Sequence, residues 1–397
     1  MSRVLVDSGI KWIGSLPDTW SITTVNKVFY RRKEVNDIEN PTILSLSRDG
    51  VKIRDISTNE GQLAESYDNY HKVYKDDLMI NPMDLISGAN CSLSEVEGVI
   101  SPAYINLAKK ENNIFPKYYD YFFKYQYWIN GMFIHGKGVS FDNRWTINWE
   151  TMSSYKLPFP KYEEQKRIAN YLDKQCKKIR KIIDDNKKEC ELLDELKKSY
   201  IDKFTSNVNW KKTTFKRYVR LNQGLQISQN LRFDEPGENR YEYITLATMN
   251  SDKKEYIENP PANVICVKDD ILVARTGATG KIITNVEGVF HNNFFRVNYD
   301  NKINKNYLYY YLNKKKCQEY MLLVAGSTTI PDLNHSDFLS MELCVPTITD
   351  QEKIGKKLNE LCSRLDKAIF YRKQIIEKLE EYKKSLIYEC VTGKREV

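Results

Sequence analysis

Residues 165–201 read QKRIANYLDKQCKKIRKIIDDNKKECELLDELKKSYI, and residues 351–387 read QEKIGKKLNELCSRLDKAIFYRKQIIEKLEEYKKSLI. The two segments align without a gap, 186 positions apart, and their identical residues, such as Gln165 and Gln351, recur at helical spacing. An internal repeat constrains the architecture before any residue is assigned a role. This one predicts two similar halves, each a globular block followed by a long helix.

Both copies carry the apolar pattern of a coiled coil, in which apolar residues recur in alternating steps of four and three. The predicted seam includes Leu172, Ile179, Ile183, Asn186 and Leu193 in the first helix, and Leu358, Leu365, Ile369, Arg372 and Leu379 in the second. If the helices are antiparallel and centred on each other, Asn186 meets Arg372. Such a polar layer costs stability but sets the register. The alternative is that Arg372 simply extends to water.

The sequence outside these helices predicts mixed α and β blocks. Short apolar runs at residues 263–267 and 271–274, separated by Asp269-Asp270 and followed by several glycines, indicate strands and turns. Each block opens on a tryptophan, Trp20 or Trp210. The predicted boundaries are 1–160 for the first domain, 161–206 for the first helix, 207–346 for the second domain, and 347–397 for the second helix and C-terminal tail. The predicted fold class is α+β: two mixed α/β domains separated by two long helices in an antiparallel coiled coil, with a pseudo-twofold internal repeat.

Composition sets broad limits on function. The 397 residues suit two or three domains, and the net charge of +8 is spread along the chain, so it indicates a polyanionic partner only weakly. We expect no membrane span and no signal peptide, hence a cytoplasmic protein. Eight cysteines without a CxxC pair predict reduced thiols and not a disulfide or zinc framework.

No segment carries a complete catalytic or metal-binding motif. Residues 259–262 (NPPA) begin like the tetrapeptide of amino-methyltransferases, but the aromatic residue at its fourth place is missing. Residues 131–138 have the spacing of a phosphate-binding loop, but Gly138 stands where a hydroxyl must bind magnesium. The segment after Pro331-Asp332 lacks the acidic-x-Lys pair of a metal-dependent nuclease, and the four histidines have no metal-ligand spacing. We therefore predict a non-catalytic chain without a metal.

Four further motifs occur in a particular order. They are residues 15–20 (SLPDTW), residues 97–104 (EGVISPAY), residues 270–280 (DILVARTGATG) and the C-terminal residues 391–394 (VTGK). With the duplicated helices, they make the chain resemble the specificity subunit of type I restriction–modification enzymes over essentially its whole length. One departure is that the first helix lacks the Thr-Gly-Lys ending and continues into residues 204–207 (FTSN).

The resemblance implies a non-catalytic subunit whose two target-recognition domains each read one half of a bipartite, asymmetric DNA target. It implies that the helices set the unread gap and dock two methyltransferase subunits, and through them the restriction subunits. S-adenosylmethionine, ATP and Mg are then expected on the partners and no cofactor on this chain. Roughly 40 helical residues span about 60 Å, more than one ~34 Å turn of DNA.

Two alternatives belong to other functional classes. One is a coiled-coil scaffold with two protein-binding domains, which salt-sensitive binding to duplex DNA would distinguish, because phosphate contacts weaken steeply with salt. The other is a self-contained restriction or modification enzyme, which the missing cofactor and nuclease motifs disfavour.

Bases are read by polar side chains on loops that enter the major groove. The predicted DNA-contacting residues of the second block are Arg275, Thr276, Thr279, Lys281, Asn292, Asn293, Ser327, Thr328 and Thr329. Those of the first block are Lys137, Ser140, Asn143 and Arg144.

Overall fold

The computed structural model describes residues 3–56, 64, 66–83, 85, 90–138, 145–326 and 331–397. The chain divides into two compact units, Met1–Asp185 with Ile375–Val397, and Asn186–Gln374. Each unit combines one globular block with parts of both long helices. The domain boundaries at residues 160, 206 and 346 stay predictions, although each falls within three residues of a helix end or a strand end.

The described part of the first unit holds short strands and helices before the first long helix. They are β1 (Leu5–Asp7), β2 (Ser15–Pro17), β3 (Ser21–Thr24), α1 (Val25–Val28), β4 (Phe29–Arg31), β5 (Leu44–Ser47), β6 (Gly50–Ile53), β7 (His71–Val73), β8 (Leu78–Ile80), β9 (Cys91–Leu93), β10 (Gly98–Ile100), β11 (Ile105–Lys109), α2 (Pro116–Trp128), α3 (Trp149–Ser153) and β12 (Lys156–Phe159). The main sheet has the antiparallel order β4-β11-β8-β9, and β12 returns to pair with β3.

The long helices are α4 (Tyr162–Phe204) and α8 (Ile348–Val391). Between them, the second unit holds β13 (Lys211–Thr214), β14 (Val219–Gln223), β15 (Arg240–Ile244), β16 (Tyr256–Glu258), β17 (Ile265–Cys266), β18 (Leu272–Ala274), β19 (Ile282–Ile283), β20 (Gly288–Phe290), β21 (Phe294–Tyr299), α5 (Lys305–Leu312), α6 (Lys315–Val324), α7 (His335–Ser340) and β22 (Glu342–Val345). Short 3₁₀ turns lie at Phe133–His135 in the first unit and at Phe215–Arg217, Gln229–Leu231, Thr248–Asn250 and Ala262–Val264 in the second.

The sheet topology of the first block recurs in the second. The order β14-β21-β18-β19 repeats β4-β11-β8-β9, and β13 pairs with β22 as β3 pairs with β12. In the second block β20 pairs in parallel with β15 and antiparallel with β17. The first block has an antiparallel β7–β10 pair and a single parallel bridge between Ile43 and Val99 at the matching place. The duplication seen in the helix sequences therefore extends to blocks whose sequences have diverged.

Within the first unit, the seam packs as an antiparallel pair. Leu172, Ile179 and Ile183 from the early part of α4 share one apolar cluster with Leu379 and Leu386 from the late part of α8. Contact between the beginning of one helix and the end of the other requires opposite directions. Each fully buried aliphatic side chain contributes about 1.5–3 kcal/mol to such a pair.

Within the second unit, a polar layer sets the register. Arg372 donates from Nη1 to Oδ1 of Asn186 at 3.2 Å and forms an ion pair with Glu189. Further along, Lys197 reaches Asp366 at 2.6 Å, so residue numbers rise on α4 as they fall on α8. The pairing of Asn186 with Arg372 is the one that the sequence predicted, and it leaves the Arg372 side chain 35% exposed to water as well.

The remaining seam predictions agree with the burial pattern. Leu172, Ile179, Ile183, Leu358 and Ile369 are buried, whereas Asn186, Leu193, Leu365, Arg372 and Leu379 are half-buried. The predicted fold class is therefore confirmed. The specific contact of Leu193 with Leu365 stays a prediction.

One identical pair in the repeat anchors each block to its long helix. Gln165 is fully buried, accepts a hydrogen bond from the amide of Phe115 at 2.9 Å, and donates to the proline carbonyl that ends the preceding strand. Gln351 does the same with the amide of Asn304 and its own proline carbonyl. Because Phe115 and Asn304 cap α2 and α5, each glutamine ties the start of a tyrosine-rich helix to the start of a long helix.

No helix in the described ranges is long and apolar enough to cross a membrane.

Candidate nucleic-acid interface

The glycine-rich loop of the second block joins β18 to β19, and its backbone combines positive φ angles with a hydrogen bond that closes the loop. Gly277 and Gly280 adopt φ angles of +76° and +84°, which side chains with a Cβ rarely allow. The amide of Gly280 donates to the carbonyl of Ala274 at 2.8 Å and closes the loop. The Thr279 hydroxyl lies 3.0 Å from the carbonyl of Arg275. Thr279 therefore stabilises the loop, although the sequence suggested a base contact.

Arg275 is the point at which three segments meet. Its guanidinium forms two hydrogen bonds with the Asp332 carboxylate, Nε to Oδ1 at 2.8 Å and Nη2 to Oδ2 at 2.6 Å. Its amide donates to the carbonyl of Asn293 at 2.7 Å, and its carbonyl accepts from the amide of Leu333 at 3.0 Å. The Asp332 carboxylate occupies two donors of the fork that would bind guanine, and it orients the side chain.

A cluster of carboxamides lies next to Arg275. Asn292 donates from Nδ2 to Oε1 of Gln226 at 3.2 Å, and Gln223 donates to the Asn292 carbonyl. A Cβ at Gly224 would lie 2.3 Å from the carbonyl oxygen of His291, so only glycine lets these two segments approach so closely. Side-chain amides of this kind can pair with adenine through two hydrogen bonds.

Asn292 and Asn293 were among the residues predicted to contact DNA, whereas their neighbours Gln223 and Gln226 were not, and a DNA contact of any of the four stays a prediction. The signal that could have pointed to them is Gly224, which follows the last residue of β14 and lies between the two glutamines, since a glycine beside a strand often marks a close backbone approach.

His291 supports the same surface as a neutral ring. Its Nδ1 accepts a hydrogen bond from the amide of Asn293 at 3.0 Å. Burial lowers the pKa of His291, and the positive charge of Arg232 lowers that pKa further. The ring therefore stays an acceptor and holds the Asn293 backbone in place.

The other predictions for the second block are less informative. Lys281 is exposed and Thr276 is half-buried, and both belong to the β18–β19 loop or its edge. Ser327, Thr328 and Thr329 lie outside the described residues.

In the first block, only Lys137 among the predicted residues is described. It is exposed, and it forms a small antiparallel bridge with Thr146, with backbone hydrogen bonds of 2.8 and 3.1 Å. Ser140, Asn143 and Arg144 lie outside the described residues. The amide of Ile147 donates to the carbonyl of Pro82 at 2.9 Å, which brings this segment beside the β8–β9 connection. By the shared topology, that connection is the counterpart of the glycine-rich loop, and sequence reasoning overlooked it.

Metal binding is not indicated within the described part of this surface. Across the described ranges, no group of three or more His, Cys, Asp or Glu side chains is placed to hold a metal ion. What the arrangement offers is hydrogen-bond donors and acceptors on loops that a repeated scaffold holds in place.

Comparison with known proteins shows which proteins this chain is similar to. Residues 207–381 match the type I restriction modification DNA specificity domain. The type I restriction enzyme MjaVIII specificity subunit of Methanocaldococcus jannaschii is 20% identical over 362 residues, which cover 81% of both chains.

Two solved structures share the fold. A chain from a study of complex assembly and conformational transition of the type I R-M system superposes with a TM-score of 0.75 at 11% identity, covering 96% of this chain and 99% of that one. The HsdS subunit of Thermoanaerobacter tengcongensis superposes with a TM-score of 0.53 at 12% identity, covering 96% and 98%. The chain therefore carries, over residues 207–381, a segment that matches the type I restriction modification DNA specificity domain, and over most of its length it is similar to a specificity subunit of a type I restriction enzyme.

Proposed function

We propose that this chain is the DNA-recognition subunit of a type I restriction–modification complex and that each globular block reads one half of a bipartite target. The observation that carries this proposal is the contrast between a repeated scaffold and unlike loops. The sheet order, the glutamine anchors and the helix seam recur in both units. The loop residues around Arg275 have no counterpart of the same sequence in the first block. Two different half-sites require such divergence.

The chain itself is a non-catalytic subunit, so the chemistry must come from partners. We propose that two methyltransferase subunits with S-adenosylmethionine dock on the helices, and that restriction subunits with ATP and Mg join through them. The solvent-facing residues of the seam helices offer the surface, since Phe370 and Tyr371 of α8 are 55% and 61% exposed. Large exposed aromatic side chains are typical of protein interfaces.

We also propose a cytoplasmic complex. All eight cysteines are free thiols, and burial raises the pKa of Cys266 to about 11, as expected of inert thiols in a reducing compartment.

The proposal is tested by exchanging one block. Residues 20–157 are replaced by the corresponding block of a relative with a different target, and the methylated adenines of the host genome are sequenced. We expect one half of the target to change while the other half and the gap stay the same. A change in both halves, or methylation that follows no bipartite sequence, would contradict the assignment. If the blocks bind proteins instead, no change in methylation follows from their sequence.

A further inference from the structure

The first unit contains a basic groove between its block and its helices. It has a volume of about 920 Å³ and lies between α2, α4, the end of α8 and the β5–β6 turn. Six cationic side chains line it: Arg48, Lys117, Lys124, Lys177, Arg180 and Lys383. Three carboxylates also line it, Asp49, Glu95 and Asp173, so the cations outnumber them two to one.

Some of these charged side chains already have hydrogen-bond or ion-pair partners. Asp173 accepts a hydrogen bond from the Tyr121 hydroxyl at 2.6 Å, and the buried Asp120 holds Lys124 at 2.8 Å. Among the described residues, neither Lys177 nor Arg180 has a carboxylate within ion-pair distance. These two side chains lie one turn apart on the exposed face of α4, three positions from each other.

The second unit has a groove at the matching place, around Tyr310, but its charge is balanced. The positions that match Lys177 and Arg180, 186 residues later, are Ser363 and Asp366. Two cations and two carboxylates line that groove. Both copies therefore retain the apolar seam. Of these two grooves, only the one in the first unit has an excess of positive charge.

We propose that the basic groove of the first unit binds the sugar–phosphate backbone of duplex DNA beside the half-site that the first block reads. This inference rests on the proposed function, and it adds a sequence-independent anchor for which the matching groove around Tyr310 has no excess positive charge. Lys and Arg side chains are the usual phosphate ligands in such anchors. Duplex DNA is the occupant that fits best, because it is a continuous polyanion and the proposed function already places it on the first block of this unit.

The test compares two double variants on the same helix. Lys177→Gln with Arg180→Gln removes two charges from the groove. Lys178→Gln with Lys181→Gln removes two charges from exposed positions of α4 that do not line it. Each native complex is purified from its host through a tag on this chain. Its affinity for duplex DNA without the target sequence is then measured from 0.05 to 0.3 M salt.

We expect the groove variant to lose two phosphate contacts. The slope of log K against log salt should fall by about 1.8, and binding at ~0.15 M salt should weaken roughly 30-fold. The control should stay within about threefold of the parent, and the target sequence of the groove variant should not change.

Three outcomes would overturn the inference. Equal losses in both variants would show that net charge acts and not the groove. Unchanged DNA binding in the groove variant, with loss of co-purifying subunits, would make the groove a protein-binding site. A parent complex that binds no duplex DNA would refute the proposed function itself. Unchanged DNA affinity of the groove variant, in contrast, refutes only the groove inference.

Discussion

Lengthening both long helices by one heptad should lengthen the unread gap of the DNA target. The insertion duplicates residues 183–189 in α4 and residues 369–375 in α8, so that each new segment brings its own Asn186, Glu189 and Arg372 layer. The duplicated residues lie within six residues of the places where the two units divide on each helix, so the contacts inside each unit are largely kept.

The magnitude follows from helix geometry. Seven residues add about 10.5 Å of helix, which equals about three base pairs at ~3.4 Å each. Three base pairs turn the duplex by roughly 100°, whereas a heptad turns a straight helix by only about 20°. Because the domains must still face the grooves, we expect a gap longer by one to three base pairs.

The assay is sequencing of methylated adenines in cells that carry only the lengthened chain. Both half-sites should keep their sequences. Insertion into one helix alone serves as the control. The two helices then differ in length by about 10.5 Å, so the seam on one side of the polar layer falls out of register, which should abolish methylation. An unchanged gap in the double insertion would refute the idea that the helices set the spacing, and altered half-sites would show that the insertion distorts the domains.

Three further predictions follow from individual contacts. Arg275→Ala should weaken binding to the target by roughly 1–3 kcal/mol if Arg275 contacts a guanine. Asp332→Asn should weaken binding less, because the arginine remains but loses its orienting carboxylate. Equal Kd values for the parent and Arg275→Ala would exclude Arg275 as a base-reading residue. Replacing Asn186 and Arg372 together by Leu should increase the free energy of unfolding by about 1 kcal/mol and so raise the Tm, since a polar layer in an apolar seam costs stability. A lower Tm for the double variant would show that the layer stabilises the protein. Partial burial lowers the pKa of His71, His291 and His335, so below about pH 6.5 the unfolded chain takes up protons that the folded chain does not. The Tm should therefore fall between pH 7.5 and 5.5, before carboxylates with lowered pKa contribute, and a flat profile over that range would contradict the lowered pKa of these half-buried histidines.

The residues of the long helices show why local pattern was sufficient for the scaffold. A heptad seam depends on spacing along one helix, and Asn186 and Arg372 were each visible as a polar break in an apolar row. Their hydrogen bond followed once the two seams were centred on each other. The duplicated sheet was predictable only in kind, because strands of two to six residues carry too little periodicity to indicate their partners.

The recognition surface depended on contacts between distant residues. Gln226 and Asn292 are 66 positions apart, and Arg275 and Asp332 are 57 apart, so no local pattern pairs them. The order of strands in the sheet brings these loops to one edge, and Gly224 permits their close approach.

The sequence by itself determined the repeat and the heptad seam of each long helix, because both are encoded in the spacing of residues along the chain, and the order of its motifs indicated the resemblance to specificity subunits. Contacts between the helices fixed their antiparallel direction. Only the tertiary structure decided that Thr279 stabilises its own loop, that Asp332 orients Arg275, and that Lys177 and Arg180 line a groove with no equally charged counterpart. The physical reason is that the helix seam is read along one element, whereas a binding surface is assembled from side chains that meet only when the sheets have formed.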